Sequence, residues 1–440
     1  MADARLAALT FLEKCRRSNA WSDAVLGSVM DSAELDGRDR GLCTAICYGT
    51  MQNMRLLDNA VSAFSSVKVN KLEPKVLDIL RISAYQLLFM DRIPPSAAVN
   101  EAVKLSKKLG YSRASGLINA VLRKISSNRE SLLNPKGADR ADTLSLKYSH
   151  PKELVEYFFS VIGEDETEEL LKCHNGEVPI ALQVNTLKTD RDKLLLSFEN
   201  KGIEAMAHPD LSNCIILKSG GAVSSLPGFN EGEFYVQDCA AYMSVLAAEA
   251  KDGERIIDVC SAPGGKSFAA AMLSEGGASI ISCDIHENKL KRIKDSAKRL
   301  GIDKIETLAA DGREFRKDFE EAFDLVIADV PCSGLGVIRK KPDIRFKSFD
   351  EFEDLASIQK AILENVSRYV KPGGRIIYST CTVREEENKA LAEAFLAENG
   401  AFAPEDFFLP GIGKSENGMM QLWPHRHGTD GFFIAKLRRK

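Results

Sequence analysis

Residues 258–266 read Asp258-Val259-Cys260-Ser261-Ala262-Pro263-Gly264-Gly265-Lys266. An apolar run, Arg255–Cys260, leads into this stretch and a helix-like pattern leaves it, so it marks a strand turning into a helix. Glycines at such a turn allow close backbone approach to a ligand, and the free amides of the helix start attract polar or anionic groups. Further apolar runs follow at Ala278–Ile285, Ile305–Ala310, Phe323–Asp329 and Gly374–Cys381, separated by helical stretches such as Asn288–Leu300 and Phe349–Val370. Strands that are apolar on both faces belong to a parallel sheet covered by helices. Residues 231–440 are therefore expected to form a doubly wound, Rossmann-like α/β domain. In the helix after residue 349, Leu355, Ile358, Ile362, Val366 and Tyr369 make one apolar stripe, expected to pack on the sheet and to carry no chemistry. Lys371-Pro-Gly-Gly374 is expected to end it, and Asp430-Gly-Phe-Phe433 reads as a closing strand.

The turn can be tested against two nucleotide motifs. A dinucleotide fingerprint needs Gly-x-Gly-x-x-Gly, which is absent; a P-loop needs Gly-x-x-x-x-Gly-Lys-Ser, and although Gly265-Lys-Ser267 is present, Cys260 stands at the first glycine. S-adenosylmethionine fits better, because its sulfonium brings no phosphate that would demand a P-loop. Asp284 ends the next strand 19 residues beyond Gly265, where an acidic residue accepts hydrogen bonds from ribose hydroxyls. Asp311, in Ala310-Asp-Gly-Arg313 after the third run, is within reach of the adenine; taken alone it also reads as a helix cap. The cofactor-binding candidates are Cys260, Ser261, Ala262, Pro263, Gly264, Gly265, Lys266, Asp284, Asp311 and Asp329.

The rest of the chain reads as two further parts. Residues 1–130 are helical throughout, with apolar residues at helical spacing and breaks at Leu35-Asp-Gly37, Pro74 and Pro94-Pro95. They carry 19 Lys/Arg against 13 Asp/Glu, a net of +6, while the remainder carries −10. A modestly basic helical domain suits a nucleic-acid partner, and equally a solvated helical surface. Residues 131–230 start with a connection at Asn134-Pro-Lys-Gly and continue as a small mixed α/β domain, with short strands expected at Ala181–Leu187 and Cys214–Leu217. No apolar stretch approaches the ~20 residues that span a bilayer, no signal peptide opens the chain, and the ten cysteines show neither disulfide-framework nor zinc spacing. A cytoplasmic protein with no membrane partner and no metal is expected. His425 and His427 lack further ligands at metal spacing and read as loop residues.

Two resemblances add to this reading. Asp39–Gly49, Leu80–Asp91, Ala98–Lys104 and Asn119–Arg123 together resemble the NusB family of small helical RNA-binding proteins over nearly the whole first part. For Arg81, Asn100, Glu101, Asn119 and Arg123, hydrogen bonds that hold the bundle are at least as good a reading as RNA contact. The turn at 258–266, Asp329-Val-Pro-Cys-Ser-Gly334 and Ser379-Thr-Cys-Thr382 are similar to the signature motifs of the Nop2/Sun group of RNA (cytosine-5)-methyltransferases. With the NusB-like front end, the chain resembles the RsmB/Sun (Fmu) family, which modifies 16S ribosomal RNA. The resemblance implies a Rossmann-like S-adenosylmethionine-dependent domain, a small-subunit ribosomal RNA partner and a covalent mechanism. In the family, the cysteine of the Ser-Thr-Cys motif attacks and that of the Pro-Cys motif assists release, which implies these roles for Cys381 and Cys332. C5 of cytosine is a poor nucleophile until a sulfur adds to C6. Strands ~4.8 Å apart, with both cysteines at their carboxyl ends, would let both thiols face one base that has left its stack. A lone cysteine is ordinarily a small buried hydrophobe, but two such motifs together point to chemistry.

Asp329 is expected to meet either cytosine N3 or the cofactor, and Lys266 either a thiolate or an RNA phosphate; the sequence leaves both choices open. Flanking RNA is expected on the first two domains. The family's middle-domain strand commonly reads Arg-x-Asn where this chain has Gln183-Val-Asn185, a departure expected to alter RNA contacts. Competing readings are a non-catalytic antitermination-type RNA-binding factor, a nucleotide hydrolase drawn from Gly265-Lys-Ser267, and the same chemistry on transfer RNA. Nothing in the sequence demands more than a monomer.

Overall fold

A computed structural model describes residues 3–18, 22–218 and 223–440. The chain forms two compact units, Met1–Gly176 with Lys340–Lys347, and Glu177–Arg339 with Ser348–Lys440. No helix among the described residues is long and apolar enough to cross a membrane.

The first unit is all helical. Pro74 and Pro95 stand at the first positions of helices Pro74–Phe89 and Pro95–Lys108, where a missing N–H costs nothing. Asp36 caps Gly37–Gln52 by accepting from the amides of Arg38 and Asp39 at 2.9 Å. Ile46, Leu57, Ile79, Leu80, Ile118 and Val121 are buried in one core. Arg81 bonds Asp58 through Nε (2.7 Å) and Nη2 (2.8 Å) and reaches Asp78 at 3.3 Å, so it ties helices together.

Arg345, from the short returning segment, is 1% exposed. Its guanidinium donates to the carbonyls of Gln52 (2.7 Å) and Ser149 (3.2 Å) and to Asn175 Oδ1 (3.2 Å). Gln52 closes its helix and Ser149 follows the helix Arg140–Lys147, so the cation satisfies carbonyls that lack intrahelical partners.

The second unit contains two larger sheets. In the smaller, β1 (Ile180–Val184), β2 (Ala205–Ala207), β3 (Cys214–Leu217) and β4 (Phe234–Val236) pair antiparallel in the order β2-β3-β1-β4. The first strand ends at Val184 rather than Leu187, because Asn185 turns inward. Its Nδ2 donates to the carbonyls of Gly232 and Leu300, both at 2.8 Å, and its Oδ1 accepts from the Leu187 amide. Gln183 is buried and donates to the Gln237 carbonyl at 3.1 Å. The Gln183 side chain thus serves internal packing between β1 and the segment after β4.

The larger sheet has parallel strands β5 (Arg255–Asp258), β6 (Ser279–Asp284), β7 (Ile305–Ala309), β8 (Phe323–Asp329) and β9 (Val370–Thr380) in the order β7-β6-β5-β8-β9. Next in chain order come β10 (Phe402–Pro404), a ribbon of β11 (Phe408–Leu409) and β12 (Gly413–Lys414), β13 (Met419–Leu422) and β14 (Phe432–Arg439). The closing strand expected near residue 430 is β14; it runs antiparallel to β9, with β10 and β13 antiparallel to it. The sheet is thus mixed. Lys371-Pro-Gly-Gly374 lies inside β9 rather than before it, and the register against β8 shifts between Phe323 and Leu325, an irregularity that a proline and two glycines tolerate.

Side chains alternate between two cores, as a period of two requires. Ile256, Ile280, Leu325, Ile327 and Ile377 pack on one face; Ile257, Val326, Ala328, Ile376 and Tyr378 pack on the other. The first core includes residues of helices Cys239–Ala248, Gly265–Leu273 and Glu287–Leu300, the second those of Glu353–Ser367 and Lys389–Glu398. Strand order reverses between β5 and β8, and this switch point is where open α/β sheets open a ligand crevice.

Arg345→Ala leaves buried carbonyls without donors and should destabilise the helical unit by roughly 3 kcal/mol. Thermal unfolding followed by circular dichroism should show a lowered helical transition.

Candidate active site

The turn after β5 is fixed from both sides. Gly264 adopts φ +105° at the head of helix Gly265–Leu273, and a Cβ there would meet the Phe268 ring at 2.6 Å, so only glycine fits. Ser261 donates through its amide (2.8 Å) and hydroxyl (2.9 Å) to the Cys283 carbonyl on β6. Beneath the turn, Asp258 is fully buried and accepts from Ser267 at 2.7 Å through Oδ2, while its Oδ1 has no partner. Burial pushes this carboxyl up to about 7, against the hydrogen bond from Ser267 and the charge of Lys266.

A cavity of about 400 Å³ opens at the carboxyl ends of β5, β6, β7 and β8. Of the expected binding residues, Cys260, Ala262, Asp284, Asp311 and Asp329 line it. Ser261, Pro263, Gly264, Gly265 and Lys266 do not; they build the turn. Asp284 Oδ1 accepts from the His286 amide at 2.9 Å and lies 3.8 Å from Lys289 Nζ. Asp311 caps no helix: Arg313 grips it, with Nη2 at 2.6 Å and Nε at 3.0 Å, and this pairing holds its carboxyl below the usual range.

Arg313, Ile285, Ile358 and Ile362 also line the cavity. Ile358 and Ile362 belong to the stripe expected only to pack on the sheet. Ile362 does both, being part of the second core and of the cavity wall. Helical periodicity shows that a face is buried but not whether the neighbour is sheet or ligand. The lining combines apolar surface for a flat base with carboxylates for hydroxyl and amino groups, a donor set that fits an adenosine-containing cofactor.

Asp329, the last residue of β8, stands between this cavity and the thiols. Lys266 Nζ lies 2.6 Å from its Oδ2, and Ser379 Oγ donates to its Oδ1 at 2.9 Å. Ser379 is its register partner on β9. Lys266 is engaged with Asp329 and sits 5.1 Å from the Phe432 ring centre.

Cys332, three residues past β8, and Cys381, directly after β9, bring their sulfur atoms to 3.3 Å. Both are part-buried and neither is in a disulfide. The Cys332 thiol is held well above its ordinary range by its hydrogen bond to Cys381, by burial, and by the charges of Cys381, Glu387 and Asp329. Gly336 passes so close to Cys381 that a Cβ would lie 2.8 Å from the Cys381 carbonyl and 1.9 Å from that of Gly431. His425 and His427 lie on a short helix, Pro424–His427, rather than in a loop, and His427 Nδ1 accepts from the Trp423 amide at 2.8 Å. Among the described residues no group of three or more His, Cys, Asp or Glu is arranged to hold a metal.

Family models match three regions: 16S rRNA methyltransferase RsmB/F over residues 245–438, the NusB family over 2–127, and the RsmF/B-like ferredoxin-like domain over 150–224. A probable ribosomal RNA small subunit methyltransferase B of Bacillus subtilis (strain 168) is 37% identical over 98% of each chain. The crystal structure of PH0851 superposes with a TM-score of 0.81 at 27% identity, covering 99% of this chain and 98% of that one. NSun6 from Pyrococcus horikoshii, solved with an analogue of S-adenosylmethionine, shares the fold at a TM-score of 0.60 and 24% identity, over 66% of this chain and 98% of its own.

The raised Asp258 carboxyl has a sign. A carboxyl at about 7 in the folded chain and ~4 when unfolded keeps its proton only in the fold between those values. Its contribution to stability is complete below about pH 4 and is lost as pH rises to about 7. Asp258→Asn should remove that part of the decline, giving a flatter stability profile than wild type in urea titrations between these pH values.

Proposed function

The chain belongs to the RsmB/F family of 16S rRNA methyltransferases, which use S-adenosylmethionine, and from that premise we propose that it methylates C5 of a cytosine in small-subunit ribosomal RNA, with Cys381 attacking and Cys332 assisting release. The observation that carries this reading is the 3.3 Å approach of the Cys332 and Cys381 thiols, just past the ends of the paired strands β8 and β9, with Asp329 and Pro331, the residues ahead of Cys332, lining the cavity.

Asp284 and Asp311 are proposed to hold the ribose and adenine, with Cys260 and Ala262 against the remainder. Bound there, S-adenosylmethionine supplies an electrophilic methyl group. Cys381, as thiolate, adds to C6 and shifts the electron pair toward C5 and N3. As negative charge builds on the ring, N3 takes a proton from water, and Asp329, which retains acceptor capacity beyond its bonds to Lys266 and Ser379, accepts a hydrogen bond from the N3–H so formed. Transfer of the C5 proton to water, with return of the N3 proton to solvent, restores the double bond and expels the Cys381 sulfur as thiolate. Cys332 keeps its proton at neutral pH, so it does not compete for C6, and its contact with Cys381 suits a role in departure of that sulfur.

We read residues 1–130 as a helical RNA-binding part, 131–230 as an RNA-recognition part and 231–440 as the methyl-transfer part, acting as a monomer in the cytoplasm. Bisulfite sequencing of 16S ribosomal RNA from cells with and without the protein should show one protected cytosine that depends on it; unchanged protection would overturn the reading. Cys381→Ala should lower methyl transfer by ~10³-fold or more. Cys332→Ala should instead accumulate a covalent RNA adduct, seen as a slow band on denaturing gels, and full activity in Cys381→Ala would refute the mechanism.

A further inference from the structure

We propose that Glu387 is a positioning residue that sets the spacing of the two thiols, acting through Gln359, Ser333 and Asn388; the inference rests on the thiol pair being the reacting centre. A buried carboxylate is costly unless its oxygens are satisfied, and Glu387 is 0% exposed. Its Oε2 accepts from the Ser333 amide and from Gln359 Nε2, both at 2.9 Å. Gln359 Nε2 also donates to the Pro331 carbonyl at 2.9 Å. The residues on both sides of Cys332 are therefore tied to one carboxylate.

The other thiol is held from the same place. The Ser333 hydroxyl lies 2.7 Å from that of Thr382, the residue after Cys381. Asn388, next to Glu387, accepts from the Thr380 hydroxyl at 2.5 Å and donates to the Thr382 carbonyl at 3.1 Å. So the residues flanking Cys381 are tied to the chain segment that also ties those flanking Cys332. Arg384, 3.5 Å from Oε1, offsets the charge. Hydrogen bonds to an ionised acceptor are roughly twice as strong as neutral ones, which suits a group that must hold two loops in one geometry.

The test uses the full chain without RNA or cofactor. Treated with diamide, the two thiols lose two protons and two electrons to form a disulfide, and the azo reagent takes up both as its hydrazine. A 3.3 Å separation needs little movement to reach the ~2.05 Å bond. Peptide mapping by mass spectrometry gives the closure rate for this pair alone. Glu387→Ala should slow closure ~10-fold or more, and Glu387→Gln, which keeps an acceptor for Ser333, should recover most of that loss. If Glu387→Ala fails to fold, Thr382→Val decides the matter: its volume is kept, its bond to the Ser333 hydroxyl is lost, and closure should slow several-fold. A wild-type closure rate in Glu387→Ala, or in Thr382→Val where the first variant is unfolded, overturns the positioning role. Either result is independent of methyl transfer. Failure of the functional reading would show instead as undiminished activity in Cys381→Ala with the closure rates as predicted.

Discussion

The contact of two sulfur atoms at 3.3 Å depends on the parallel pairing of β8 with β9 in one register. Asp329, the last residue of β8, lies opposite Ser379, one residue before β9 ends at Thr380, so the loops that follow start side by side. A slip of one residue would reverse every side chain on β9, sending Ile376 and Tyr378 out of one core and Ile377 out of the other. The hydrophobic alternation that stabilises the sheet is therefore also what aligns the thiols. Burial of such side chains contributes about 1.5–3 kcal/mol each.

Around that register the polar groups divide into two layers. Asp284, Asp311 and Asp329 face the cavity, while Asp258 and Ser267 lie beneath the turn and Lys266 is held against Asp329. Glu387 and Asn388 hold the outer loops. Charges at the site are paired across elements: Lys266 comes from the helix after β5 and Asp329 from β8. The Cys332 thiol is held above its ordinary range by its hydrogen bond to Cys381 and by burial, with the charges of Glu387 and Asp329 adding to this.

Much of this was legible in the sequence because the informative residues are local. Strand runs, the glycine turn and the two cysteine motifs each lie within ten residues and indicated the Rossmann-like third part, while helical spacing and its proline and glycine breaks indicated the all-helical first. The remainder depends on partners distant along the chain. Ile358 and Ile362 form cavity wall because of what faces them, not because of their spacing. Asn185 is drawn inward by carbonyls of Gly232 and Leu300, and Lys266 meets Asp329, 63 residues further along the chain. Proline and glycines suggested a break at 371–374, yet the strong pairing of Ile376–Ser379 with both neighbours carries the strand through them. Gln359 and Glu387 gave no signal in the sequence, because the partners that bury them, Pro331 and Ser333, lie far along the chain.

The central claim is that the sulfur of Cys381 bonds to a pyrimidine ring. Replacing the target cytosine with 5-fluorocytosine removes the proton whose loss releases the enzyme, so a covalent complex formed in the presence of S-adenosylmethionine should persist. Tandem mass spectrometry of its peptides should find the nucleotide on Cys381. A nucleotide attached to Cys332, or no covalent complex while cytosine in the same RNA is methylated, would contradict the account.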